Sequence, residues 1–358
     1  MREPSGIRPA VLITATVLTI TTVASGMQAP PASPPGAPPA AGRGQGPPAP
    51  PPPSAAALER GAQVLAAARA AMGGDTLRSV TSILATGRTR RVRGDNLVPI
   101  EFEIAIELPD KYVRKDEVPA EESDPTSTGF AGTEIIQLPP PPAGRPGGPP
   151  SGAGGRPGGP PAPTPEQLEA QRAARLTTVK QDFARVALGL IPGSLATFPM
   201  TFAYAAQAQA PQGNADVLDV RGPGNFAARL FIHTETHLPI MISWQAPPSG
   251  VVVTTPGQPA PRTVAPGAVI VSAPPPPAAN APAEEKERYA KELAGLRQKA
   301  QATPVEHRLY YADYRDADGV TFPFRLRRAI GSDTTEETTF DRFRLNTKID
   351  PRKFAVGR

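Results

Sequence analysis

Proline decides how much of this chain can join a folded core. The 358 residues include 49 prolines and 33 glycines, gathered mainly into three stretches. Each proline fixes φ and removes a backbone donor, so dense proline is incompatible with helix interiors and central strands. Pro30–Pro53 is nearly pure Pro, Ala and Gly and reads as an extended, solvated linker of polyproline II character. In Pro139–Pro163 the run Gly-Arg-Pro-Gly-Gly-Pro-Pro at 144–150 recurs at 155–161. Two copies without a three-residue period exclude collagen, and Gly-Arg pairs without aromatics carry little RNA-binding signal. The third stretch, Pro247–Pro282, holds two β-rich runs, Val251–Val253 and Ala268–Ser272, that could be short strand pieces. Such segments bury too little apolar surface to offset ordering entropy. The expectation is one domain over 54–358, interrupted by disordered insertions at 139–163 and 246–282.

Between these stretches the pattern has period two. Ile100, Phe102, Ile104, Ile106 and Leu108 alternate with Glu101, Glu103, Ala105 and Glu107. One face is apolar and the other mostly carboxylate, as in a half-buried antiparallel strand. Similar runs predict strands near 81–93, 111–118, 134–138, 198–209, 216–221, 226–233 and 239–245. Two substantial helices are predicted. Ser54 caps one that ends at Gly73-Gly74. Thr164-Pro165-Glu166-Gln167 starts the other as a capping box with proline at the first helical position. Its stripe, Leu168, Leu176, Val179, Phe183, Val186 and Leu190, suits a helix lying across the open side of a sheet. A third, charged helix over 283–300 has only Tyr289, Leu293 and Leu296 as an apolar stripe, which predicts loose docking.

The last fifty residues read as a three-stranded meander. Val305–Tyr314 is an aromatic-rich strand, and Arg315-Asp-Ala-Asp-Gly319 a turn. Val320, Phe322, Phe324 and Leu326 then share a face, with Pro323 suiting an edge or a bulge. A third strand runs over about 334–345. The segments Tyr311–Phe324 and Leu345-Asn-Thr-Lys-Ile-Asp-Pro-Arg-Lys-Phe354 resemble the C-terminal part of LolA-like periplasmic proteins, the outer-membrane lipoprotein-sorting type. That resemblance implies an α+β fold, a curved antiparallel sheet forming a half-open LolA/LolB-like barrel covered by helices. It also implies a carrier of acyl chains, and it extends over roughly 54–138, 164–245 and 303–356. The typical carrier is near half this length and lacks the proline-rich insertions.

Compartment follows from the N-terminus. Arg2 and Arg8 precede an apolar run, Pro9–Val23, of 15 residues, short of the ~20 that a spanning helix needs. With small residues at Ala24–Gly26 and at Ala29, residues 1–29 read as a cleaved signal peptide. A periplasmic protein that makes only peripheral or transient membrane contact is expected. The absence of cysteine excludes disulfides, thiolate metal sites, Cys nucleophiles and lipidation at an N-terminal Cys. A formal charge of +5, spread along the chain, gives no concentrated basic face for nucleic acid.

Catalytic constellations are sparse. His233-Thr-Glu-Thr-His237 would place His233, Glu235 and His237 on one face of a strand, with plausible zinc ligands. Yet it lies between apolar strands and runs into Leu238-Pro239, where LolA-like proteins have a similar hairpin, so a turn without metal is expected. No Gly-x-Ser-x-Gly elbow occurs, and His307 beside Glu306 alternates faces with it. Arg221-Gly-Pro-Gly-Asn225 has no helix behind it to cradle phosphate. What remains is apolar. Phe102, Ile104, Ile106, Phe183, Leu230, Ile232, Ile242, Trp244, Phe322 and Phe324 are the candidates for a lipid-binding wall, with Ile240 and Leu326 beside them. The expected function is non-catalytic binding of a lipid or of lipoprotein acyl chains, without cofactor or metal. The rival expectation is an RseB-like envelope sensor whose partners are envelope proteins.

Overall fold

The computed structural model describes residues 51–355, apart from 95, 122, 140–163, 211–212 and 257–263. The expected signal peptide, most of the N-terminal linker and almost all of the first insertion therefore lie outside the described residues. The described residues from Pro52 onward form one compact unit.

The described residues build one twelve-stranded sheet, antiparallel throughout, from three meanders. The first comprises β1 (Ser82–Arg93), β2 (Asn96–Glu107), β3 (Lys111–Glu117), β4 (Thr126–Ala131) and β5 (Glu134–Leu138). The second comprises β6 (Thr201–Ala210), β7 (Gly213–Gly222), β8 (Phe226–His233) and β9 (Pro239–Ala246). The final stretch of sequence supplies the centre: β12 (Val305–Ala317), β13 (Val320–Ile330) and β14 (Asp333–Leu345). β12 pairs with β9, and β14 pairs with β1. The order is β5-β4-β3-β2-β1-β14-β13-β12-β9-β8-β7-β6, so the sheet is open, with β5 and β6 as its ends.

Each side of the sheet follows from the alternation. Ile83, Ala85, Gly87 and Thr89 of β1 face Ile106, Ile104, Phe102 and Ile100 of β2 across the ladder, all on the concave side. Thr86, Arg88 and Arg90 point the other way and are exposed. Against the concave side lie α1 (Ala55–Ala71) and the long α3 (Pro165–Leu190); the short α2 (Gly74–Arg78) follows α1. Ser54 caps α1 by accepting from the Ala57 amide at 3.2 Å. Thr164 and Gln167 complete the expected capping box at α3, with bonds of 3.3 and 2.9 Å. The first turns of α3 are exposed, while Phe183, Ala184 and Val186–Leu190 are buried. Its C-terminal half packs across β4, β5, β9, β12 and β13. That half is the common filling of one continuous hydrophobic core.

On the convex side, Ile349 and Phe354 fold back over Ala105, Val113 and Ile136 as a small second cluster. The 3-10 turn Pro351–Phe354 that carries Phe354 is capped by the Asp350 carboxylate, which accepts from the Arg352 amide at 2.9 Å.

Four sequence expectations need correction. β12 continues to Ala317, and its hairpin turn is the two-residue Asp318-Gly319, with φ of 54° and 81°. Paired positive φ values are the turn geometry that matches the twist of a tight hairpin. Pro323 lies on an interior strand, tolerated because regular pairing of β13 with β14 begins only at Arg325. β4, unmarked by any apolar alternation, is a strand because β3 and β5 both pair with it. Finally, the second insertion is not disordered throughout. β10 (Gly250–Thr254) and β11 (Ala268–Ser272) form a two-stranded parallel sheet, where β-branched Val251–Val253 meet Val269, Ile270 and Val271. The charged helix α4 (Ala283–Ala302) packs against these two strands. Its Tyr289, Leu293 and Leu296 are half-buried there.

Candidate functional site: an amphipathic cavity on the concave face

Near the middle of α3 the concave face is not filled. A cavity of about 360 Å³ opens between the helix and strands β1–β4 and β12–β14, at the lower end of the size range of small-molecule sites. Part of its lining is apolar: Ile104, Tyr112, Val179, Val186, Leu309, Leu326 and Phe340. The remainder is ionic or hydroxylic, with Arg91, Arg114, Arg328, Asp116, Asp182, Glu336, Thr126, Thr128 and Thr338. Two larger depressions of about 490 and 480 Å³ lie among mostly charged side chains of β1, β2, β3, β13 and β14 and of the turn at Lys353. They lack an extended apolar wall.

Strand register assembles the ionic part. Arg91 stands opposite Glu336 across the β1–β14 ladder, and Arg328 stands opposite Glu336 on the other side. Arg114 and Asp116 alternate along β3 on the same face, opposite Ile104 and Phe102. The Glu336 side chain is only 9% exposed. Arg91 Nε donates to it at 2.8 Å, and Arg114 and Arg328 approach at 3.7 Å each. Burial acts to raise the Glu336 carboxyl, but Arg114, Arg328 and Arg91 outweigh it and hold it below its ordinary value. Arg114 donates from Nε to Asp116 at 2.6 Å and from an amino group to Thr89 at 3.1 Å. Burial acts to lower that guanidinium, yet Glu336 and Asp116 leave it above its usual value. It also lies 4.7 Å over the Phe102 ring. The Thr89 and Thr338 hydroxyls share a 2.7 Å hydrogen bond, completing a polar band across β3, β1, β14 and β13.

A second polar group adjoins it. Arg185 of α3 pairs with Asp182 at 2.6 Å and lies 4.5 Å over the Trp244 ring and 5.3 Å over Phe226. Burial lowers its pKa. The buried Tyr311 hydroxyl donates to the Arg185 carbonyl. His307 packs beside Trp244 at 5.4 Å, and burial, then Arg185 and Arg328, push its pKa down. Among the described residues, Arg185 Nε and His307 Nε2 are buried without a hydrogen-bond partner.

The ten apolar candidates all join the continuous core, nine as buried residues and Trp244 half-buried against it. Only Ile104 borders the cavity. Phe183 sits 4.6 Å from Tyr112 and 5.5 Å from Phe130. Phe102 meets Phe340 edge-on at 5.4 Å. Phe322 stacks on Phe343 at 4.6 Å, and Phe324 meets the same ring at 5.1 Å. Ile106, Leu230, Ile232 and Ile242 are at most 1% exposed. After His233, the last residue of β8, the chain turns through Thr234–Thr236, with His237 in the left-handed region at φ 57° and its amide donating to the His233 carbonyl at 2.9 Å.

Sequence reasoning missed Arg91, Arg114, Asp116, Arg328 and Glu336. The readable signal was polar residues at apolar-face positions: Thr89 and Arg91 continue the face of Ile83 and Ala85.

No family model and no curated protein matches this sequence. Among solved structures the chain is similar to a LolA superfamily protein from Nitrosomonas europaea, at 10% identity and a TM-score of 0.42, covering 82% of this chain and 97% of that one. It is also similar to a DUF1329 family protein from Desulfovibrio piger (6% identity, TM-score 0.39, 84% and 97% covered). A third is described as an outer membrane lipoprotein-sorting protein domain, from Vibrio parahaemolyticus (7% identity, TM-score 0.38, 83% and 97% covered). Among the described residues no helix is long and apolar enough to cross a membrane.

Proposed function

We propose that this protein binds an acyl chain non-covalently on the concave face, between α3 and the sheet, as an exported lipid or lipoprotein-chain carrier. The observation that carries the reading is the half-apolar cavity left where α3 crosses an otherwise packed sheet. Burying a tail there contributes about 0.8 kcal/mol per methylene, so affinity can accumulate without covalent chemistry. Arg2, Arg8 and the apolar run after them support a site of action in the periplasm.

The test pairs two variants. Ile104 faces Arg114 across the β2–β3 ladder, so in Ile104→Glu the new carboxylate meets a guanidinium and the fold is retained while the cavity wall becomes charged. Leu230, fully buried and standing between Leu218 and Ile242 on the flanking strands, has no such partner, and Leu230→Glu unfolds the domain. Uptake of a fluorescent acyl probe with a neutral head, and mass spectrometry of lipid extracted from the purified protein, are read with thermal melts. Lost uptake in Ile104→Glu at near-native melting supports the carrier. Wild-type protein with neither extracted lipid nor probe uptake would replace it with a sensor of envelope proteins.

A further inference from the structure

The polar part of the cavity does not balance. Arg91, Arg114 and Arg328 face only two carboxylates, Glu336 and Asp116. The remaining acid at the cavity, Asp182, is engaged by Arg185 at 2.6 Å. One positive charge is therefore left over among partly buried side chains. The side chains of Arg114, Arg328 and Arg91 are 17%, 27% and 34% exposed. The surplus can be placed. Arg91 and Arg114 each spend donors on close bonds to Glu336, Asp116 or Thr89. Arg328, among the described residues, has only the 3.7 Å approach to a carboxylate already held by Arg91. A guanidinium carries five N–H donors in a fork that matches a planar or tetrahedral oxyanion. Arg328 presents that fork into a cavity whose other wall is Leu309, Leu326, Phe340 and Val186.

We propose that the ligand of this cavity is an amphiphile with a single oxyanion head, a carboxylate or a phosphate diester, whose head is received by Arg328 while its tail lies along the apolar wall. This rests on the acyl-binding reading above and adds the head group to it. One negative charge neutralises the surplus, and the head satisfies donors that the protein leaves idle. A neutral head would leave that charge buried and uncompensated, which disfavours binding. Thr126 and Thr128, opposite Asp116 and Arg114 on β4, add hydroxyls at the same rim.

The experiment is calorimetric titration of the purified chain with four probes: dodecanoate, lysophosphatidylglycerol, dodecanol and inorganic phosphate. Tighter binding of dodecanoate or lysophosphatidylglycerol than of dodecanol is expected, and the tighter of the two identifies the source of the head. Arg328→Gln should cut that preference by about ten- to hundredfold, the worth of hydrogen bonds to a charged group, while leaving dodecanol unchanged. Glu336→Gln enlarges the positive surplus, so it should tighten dodecanoate severalfold and not dodecanol. This second variant decides the matter if Arg328→Gln fails to fold. Equal affinity for dodecanoate and dodecanol, or no response to either substitution, overturns the oxyanion head and leaves the acyl-binding reading standing. Binding of no tailed probe removes both. Inorganic phosphate bound as tightly as the tailed anions overturns the amphiphile in favour of a simple anion site.

Discussion

Whether α3 is a fixed part of the core or a detachable cover is decided by Phe183. Its side chain is 2% exposed and touches two rings, Tyr112 of β3 at 4.6 Å and Phe130 of β4 at 5.5 Å, which are themselves 6.0 Å apart. Phe183→Ala removes one ring from a three-ring cluster and leaves a cavity against the other two. A Phe→Ala change in a core costs ~3–5 kcal/mol, and each lost aromatic pair adds ~0.5–1.5 kcal/mol beyond area. A loss in the upper half of the first range, ~4–5 kcal/mol, is expected. At ~2–4 °C per kcal/mol for a domain of this size, melting should fall by roughly 8–20 °C. Urea titration should show the same loss as a lower midpoint at unchanged slope, because the surface exposed on unfolding is the same. Leu168, 51% exposed at the other end of the helix, serves as the control, and Leu168→Ala should stay within ~0.5 kcal/mol. If Phe183→Ala costs less than about 1 kcal/mol, α3 does not contribute to the cooperative unit. The cavity would then be an open groove under a mobile helix.

Two further predictions test the sheet and its polar band. Gly129 lies where β4 crosses β3 so closely that a Cβ would overlap the Tyr112 carbonyl oxygen and stand 2.6 Å from Val113 Cα; both are backbone and cannot give way. Gly129→Ala should therefore destabilise by at least ~2 kcal/mol in urea titration. His307 is held below its ordinary value of 6.5 by burial and by Arg185 and Arg328, so the unfolded chain binds the proton more readily. Its contribution is fully present above about pH 6.5 and is lost as pH falls through the lower folded value. His307→Gln should flatten that part of the stability profile, whereas the loss at lower pH, set by the depressed Glu336 carboxyl, should persist. A slope unchanged by His307→Gln would show that the imidazole is solvated in the folded state.

What the sequence determined by itself is local. Alternation such as Ile100 to Leu108 fixes which side of a strand is apolar, because successive side chains point to opposite faces whatever the partner strand is. Capping at Ser54 and at Thr164–Gln167 fixes where helices begin, since those bonds span only three residues. Strand ends shifted by a few residues, as at Ala317, because hairpin closure depends on pairing as well as turn composition. Tertiary structure decided what lies between distant residues. Nothing local says that the last meander enters the middle of the sheet, with β14 on β1 and β12 on β9. That arrangement is a property of four strand edges, those of β1, β14, β12 and β9, finding one another. It is also what creates the ionic site: Arg91, Arg114, Arg328 and Glu336 lie on four strands, and pairing of residues up to 245 positions apart converts scattered charges into a shared network. β4 shows the same dependence, a strand of Thr, Ser and Gly made regular by its neighbours' unpaired backbone groups. The apolar candidates were legible because burial follows alternation. The charges among them were not, because a buried arginine is tolerated only where the fold brings it a carboxylate.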